Sequence, residues 1–227
     1  MSVAIASRNY LSVAHLSAAS LFAKQSSDIE SSGTVTSLDA TVLRQHHACV
    51  VSAVIMSAAF LEANINELFS DCADEQFARS LSTLRAKDLM GRLWKKGVPR
   101  TASYSILEKY EIALELNDKA GFNTGATPYQ DVKLLVELRN ALIHFEPETI
   151  PSHSVNEAQK VHKFEKRFAG KFSPNALTGA KNPFYPDKLL GAGCANWAIM
   201  SAVAFTDEFC ERLGTQPIYE YVRGHFF

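Results

Sequence analysis

From Leu38 to Asp71 the chain runs without a single Gly or Pro. A helix over that stretch is about 50 Å long at ~1.5 Å per residue. Its middle, Ala48 to Leu61 (ACVVSAVIMSAAFL), carries no charge over 14 residues. That run is short of the ~20 residues a bilayer-spanning helix needs, so it reads as a core helix. A helix apolar on every side belongs at the centre of a bundle. This one segment therefore commits the chain to helices packed on helices.

The rest of the pattern agrees. Ser7 to Lys24 has apolar residues at helical spacing (Leu11, Ala14, Ala18, Leu21, Phe22). The Ser/Thr-rich stretch QSSDIESSGTVTS then reads as a linker, with Ser37 as an ordinary cap for the long helix. Further helices are expected over Asp74 to Lys96, with a kink or split near Asp88, and over Thr101 to Asn117. Thr127 as cap and Pro128 at the first helical position start another, Tyr129 to Phe145, which Pro147 stops. A basic amphipathic helix follows, Ser152 to Phe168, then a loop rich in Pro, Gly and Asn to about Asp187. The last helix is Leu190 to Leu213, and the aromatic tail TQPIYEYVRGHFF packs back on the body. Every Pro lies at a proposed boundary, where it costs a helix nothing. The expected fold class is all-α: a bundle of about six helices over residues 37–227, preceded by an N-terminal helix and linker over 1–36.

With 227 residues and 47% hydrophobic content the chain can bury a substantial core. Its 23 basic and 24 acidic side chains sum to −1, which excludes a generally basic nucleic-acid coat and an acidic disordered tail. Any nucleic-acid contact has to come from a local patch. Cys49, Cys72, Cys194 and Cys210 form no CxxC, so zinc ribbons and thioredoxin-like chemistry are out. They read as small apolar residues in a reducing compartment. The N-terminus makes a poor signal peptide, and a cytoplasmic protein with no membrane association is expected. HExxH, GxxxxGK and GxSxG are absent. Gly191-Ala192-Gly193 follows no strand, and His46 and His47 point about 100° apart on a helix, so neither a dinucleotide loop nor a metal site is expected. No metal and no cofactor is called for.

The segment Asp131 to Phe145, DVKLLVELRNALIHF, is the most informative. Lys133, Glu137, Asn140 and His144 fall within about 60° of one another on a helical wheel. The remainder is apolar except Arg139, about 100° to one side of Asn140. Such a stripe is either the wet edge of a buried helix or a site. An Arg and a His on a nearly all-apolar helix are costly unless partnered, and Arg, Asn and His together suit a phosphate.

Glu137-Leu138-Arg139-Asn140-Ala141-Leu142-Ile143-His144-Phe145 resembles the signature helix of the HEPN domains, which are small α-helical bundles. Their motif is Arg, four to six residues, then His, commonly with a polar residue after the Arg. Arg139, Asn140 and His144 fit it at the shortest spacing. Phe60-Leu61-Glu62-Ala63-Asn64-Ile65-Asn66-Glu67-Leu68-Phe69 resembles the acidic stretch that ends an earlier long helix in many members, and the last helix from Ala195 has a similar look. The loose pattern alone is unselective. Ten Arg, three offsets and 7 His in 227 residues predict about one match by chance, and Arg8-Asn9 with His15 is a second one. The longer string between two Pro-marked boundaries is far more selective.

The resemblance implies metal-independent RNA cleavage, in which a ribose 2′-hydroxyl attacks the adjacent phosphate and leaves a 2′,3′-cyclic phosphate. His144 is the type of residue that moves protons near neutral pH, and Arg139 the type that neutralises a phosphorane. Asn140 would orient the imidazole or hold the phosphate. Arg139 and His144 are about 140° apart on one helix, so the resemblance implies a homodimer that joins two such helices in one cleft. Glu62 is the candidate supporting acid, able to pair with Arg139, and equally a surface Glu. Residues 151–190 carry seven basic against three acidic side chains, +4 in sum. Lys160, Lys163, Lys166 and Arg167 would give RNA a phosphate track, or simply a solvated helix face. Family habit adds a toxin or defence effector role and a neutralising protein partner. Two other readings stand beside the nuclease: a non-catalytic HEPN-like module that dimerises or binds a nucleotide or protein, and an unrelated helical scaffold.

Overall fold

The computed structural model describes residues 8–32, 39–74, 81–100, 103–147 and 162–225. The protein is all-α, with seven α-helices and no strand among those residues. They are α1 (Ser12–Ser32), α2 (Ala40–Cys72), α3 (Lys87–Lys95), α4 (Ile106–Leu116), α5 (Tyr129–Ile143), α6 (Lys163–Phe168) and α7 (Ala192–Leu213). A π-type turn, Phe184–Lys188, precedes α7, and a 3-10 turn, Glu220–His225, closes the described chain. The chain divides into two compact units, and α1, α2 and α7 each lie partly in both. The division therefore runs along a different line from the expected cut between 1–36 and 37–227.

One unit comprises Met1–Ser17, Ala59–Phe122 and Thr206–Phe227. Phe60 and then Leu61, Ile65 and Phe69 of α2, the last three at four-residue intervals, are fully buried. Tyr110 of α4 meets Phe209 edge-on at 4.7 Å, and Tyr219 of the tail meets Phe60 at 5.5 Å. The tail does pack back: Tyr219 is fully buried, and its hydroxyl donates to Asp207 at 2.6 Å. Ser105 and Glu108 form a reciprocal capping box that fixes where α4 begins, five residues later than the sequence pattern predicted. α3 starts at Lys87, close to the break expected near Asp88; residues 75–80 of that predicted helix lie outside the described residues. Gly91 of α3 lies so close to the end of α2 that a Cβ there would sit 2.3 Å from the Cys72 carbonyl oxygen.

The other unit comprises Ala18–Ala58 and Asn123–Phe205. Small side chains on three helices, Ala19 and Ala23, Ala53 and Ala58, Ala195 and Ala198, are nearly or fully buried in it. The Ser/Thr-rich stretch is not a linker from its start: α1 continues to Ser32. Ser26, Ser31 and Ser32 donate to carbonyls three or four residues back, which lets hydroxyls ride inside a helix. Glu30 near its end receives both the Ala192 amide at 2.7 Å and buried His46 Nε2 at 2.8 Å, so it caps α7. Gly191 and Gly193 are there for space. A Cβ on Gly191 would come within 2.5 Å of the Asn175 Cα, and one on Gly193 within 2.6 Å of the Ser173 carbonyl.

α2 is long and apolar enough, by length and composition, to cross a membrane, and half of its most apolar window is buried inside the protein. From Cys49 to Cys72 none of its residues is fully exposed. That is how a core helix sits, although buried and half-buried residues alternate around it rather than burial being complete on every side.

Candidate functional site on the fifth helix

α5 begins at Tyr129, where the sequence pattern puts it, but not with the expected Thr127 cap. Pro128 is its N-cap and offers no side-chain oxygen; Thr127 is outside the helix. Val132, Leu134, Leu135 and Leu138 are buried and seat it in its unit. Its last turn closes with the His144 amide on the Asn140 carbonyl at 2.8 Å. The Ala141 carbonyl accepts from the Tyr185 hydroxyl at 3.4 Å. His144 is the C-cap, with φ −104° and ψ 49°, so its side chain leaves the helical register just as the chain turns toward Pro147.

The three motif residues differ in surroundings. Asn140 and His144 are exposed, and Ile143 and Phe145 beside them are about half exposed, at 50% and 53%. Arg139 is half-buried. On the wheel it falls within about 40° of Val132 and Leu135, both fully buried, so the guanidinium stem leaves from the core side of α5. Its Nε is buried without a hydrogen-bond partner among the described residues. A buried N–H left unpaired costs about 1–3 kcal/mol, more on a charged group, and native structures rarely tolerate that without a reason.

The polar stripe splits. Glu137 accepts both terminal nitrogens of Arg167, one at 3.0 Å, and Asp131 pairs with Lys171. Lys133, Asn140 and His144 remain exposed. The Arg167 bond holds the Glu137 carboxyl below its usual range, and the same bond raises Arg167. These two ion pairs lash α6 and the residues after it to α5.

That pairing engages part of the expected RNA track. Arg167 is already neutralised by Glu137, and Lys163 lies 5.2 Å over the Phe164 ring. Lys166 is exposed, whereas Lys160 and most of the predicted helix from Ser152 lie outside the described residues. His162 caps α6 through Nδ1, 3.2 Å from the Phe164 amide, and stacks on Tyr185 at 4.7 Å. An open depression of about 640 Å³ beside α6 is lined by Phe168, Phe172 and Phe184 with Glu165 and Lys188. None of Arg139, Asn140 and His144 lines it.

Glu62 is half-exposed in the other unit and is engaged there: it accepts from Lys109 Nζ at 2.7 Å. The whole acidic stretch does structural work of that kind. Asn66 also accepts from Lys109, Asn64 donates to Tyr110, and Glu67 takes the amides of Leu11 and Ser12 at 2.7 and 2.9 Å. Glu67 thereby caps α1, a role no local spacing reveals. The second motif match is structural as well, since Arg8 pairs with Asp71 and Asp74 at 3.2 Å. Among the described residues no group of three or more His, Cys, Asp or Glu could hold a metal ion. No protein-family model, curated protein or solved structure matches this chain.

Proposed function

We propose that the protein is a metal-independent endoribonuclease of the HEPN type whose Arg139, Asn140 and His144 act on the scissile phosphate. One observation carries this reading: a guanidinium on the core side of α5 whose Nε is buried and unpaired among the described residues. Nε itself has no exposed surface, so a phosphate oxygen satisfies this guanidinium with a charge-assisted bond only as the side chain swings outward. Exposed Asn140 and His144 at the same helix end supply a neutral donor and an imidazole.

In the reaction the 2′-oxygen bonds to phosphorus, the bond from phosphorus to the 5′-oxygen breaks, and the products are a 2′,3′-cyclic phosphate and a 5′-hydroxyl. One proton leaves the 2′-hydroxyl and one reaches the departing oxygen. A twofold homodimer supplies an imidazole for each transfer. The half-exposed Ile143 and Phe145 flanking His144 favour burial of this end of α5 against a second copy. A toxin or defence role with a neutralising protein partner fits such an activity and belongs to the same proposal.

The test is cleavage of a mixed single-stranded RNA in EDTA, with product ends identified. Wild type yields cyclic phosphates, while Arg139→Ala and His144→Ala each lower the rate by about 10²–10⁴-fold. Cleavage that survives both substitutions sinks the assignment. A second reading, a non-catalytic module that docks a partner through α5, draws on the divergence of Arg139 and His144 by about 140° in a single chain. It predicts a dimer without any cleavage.

A further inference from the structure

Residues 85–100 hold a charge concentration that the average conceals. Arg85, Lys87, Arg92, Lys95, Lys96 and Arg100 stand against Asp88 alone, +5 in 16 residues of a chain whose total is −1. They lie on and around α3. Arg85 pairs with Asp118. Arg92, Lys95, Lys96 and Arg100 are exposed, and none of Lys87, Arg92, Lys95 and Lys96 has an acidic partner among the described residues.

The fold explains only part of this. Cations in the last turn suit the helix dipole, which accounts for Arg92 and Lys95. It does not account for Lys87 in the first turn or for Arg100 beyond the end. Arg92 is three and four residues from Lys95 and Lys96, a spacing at which like charges repel on a helix. A nine-residue helix bearing that repulsion is held from its buried side instead. Asn117 of α4's C-cap accepts from the Ala86 amide at 3.0 Å, and Met90 and Gly91 are buried.

Two further features give the patch a shape. Lys87, Arg92 and Lys95, with Asp88, border a depression of about 290 Å³ against the end of α2, beside the close approach at Gly91. Farther on, the Arg100 guanidinium lies over the Trp94 ring at 5.4 Å. A planar cation stacked on an indole extends a surface on which an unpaired base can continue the stack.

We infer that α3 and the residues up to Arg100 form a binding surface for single-stranded RNA, with Lys87, Arg92, Lys95 and Lys96 on phosphates and the Arg100–Trp94 stack against a base. The choice of RNA among polyanions rests on the ribonuclease reading of α5; the surface itself does not. An anionic membrane is the lesser fit, because Leu89 is the sole large apolar side chain exposed on α3 and offers little to insert.

The experiment measures binding of a 2′-O-methyl RNA of ~12 nucleotides, which cannot be cleaved, by anisotropy across a salt series. Wild type binds with a steep salt dependence. Arg92→Ala/Lys95→Ala/Lys96→Ala weakens binding by about tenfold or more at low salt and flattens the log–log slope by about 2. Lys24→Ala/Arg44→Ala/Lys119→Ala, which removes the same charge elsewhere, stays within about twofold of wild type. If the first triple variant proves unfolded by circular dichroism, Lys95→Gln/Lys96→Gln gives the same reading with less change. Equal losses in both triple variants, no loss in the α3 variant, or no RNA binding by wild type overturns the inference. So does binding of wild type to phosphatidylserine vesicles in place of RNA. Because binding is read with an RNA that cannot be cleaved, a failed cleavage assay leaves this surface standing.

Discussion

At the scale of single residues, the groups that hold this protein together are mostly carboxylates and amides reaching across elements. Glu67 caps α1 from α2, Glu30 caps α7 from α1, and Asn117 joins α4 to the start of α3. Glu137 responds to pH in a usable window. The hydrogen bond from Arg167 depresses its carboxyl below the ordinary 4.5. A carboxylate depressed in the folded state adds stability that is complete above its unfolded value and fades as the pH falls through its folded one. Urea unfolding should therefore show Glu137→Gln less stable than wild type at neutral pH, by up to about 1 kcal/mol for so exposed a pair. The gap should close once the pH is taken well below 4.5. A difference that persists in acid would assign the effect to packing. Of the proposed site residues, Arg139, Asn140 and His144 are legible because their spacing and their apolar neighbours lie in one segment. The partners of Glu62 and Arg167 are not, since each is tens of residues away and nothing local specifies the pairing.

Among the elements, those with strong periodicity were read well and those set by side-chain caps were not. α2 and α5 fall where their apolar spacing puts them, within a few residues. The end of α1 was missed because Ser and Thr signal a loop by composition, yet here their hydroxyls bond back along the helix. α3 lies within the longer helix predicted from Asp74 to Lys96, and its basic face is hidden in the sequence by a whole-chain charge of −1. Gly91 shows how an element's position can hang on an absent side chain. Alanine should favour a helix by about 1 kcal/mol over glycine. Here the new Cβ would sit 2.3 Å from a backbone oxygen, so α3 has to move. Gly91→Ala is expected to lower stability by about 1–3 kcal/mol in urea unfolding, and an unchanged or higher midpoint would rule out the close approach.

For the whole molecule, the near-zero net charge is a sum of unlike parts. Residues 85–100 give +5 and residues 151–190 give +4, so the remainder carries −10 to reach the total of −1. Neutrality on average thus leaves room for two basic regions. If the site is completed by a second copy, activity belongs to the pair and not to the chain. Arg139→Ala and His144→Ala proteins, each inactive alone, should then regain part of their activity when mixed, provided protomers exchange. A mixture that stays inactive after demonstrated exchange would argue that each chain works alone.

The four cysteines, read from the sequence as small apolar fillers, have a practical consequence. All are unpaired and buried, Cys49 and Cys194 in one unit, Cys72 and Cys210 in the other. Burial raises every one of these thiols, Cys72 to about 12 and Cys210 to about 11. A thiol reacts as its thiolate, so a native sulfur should be nearly inert to iodoacetamide until its surroundings open. Each unit thus contains its own pair of clocks. Site-resolved labelling by mass spectrometry would time the openings separately, and equal rates at all four sulfurs would mean that both units open in a single event.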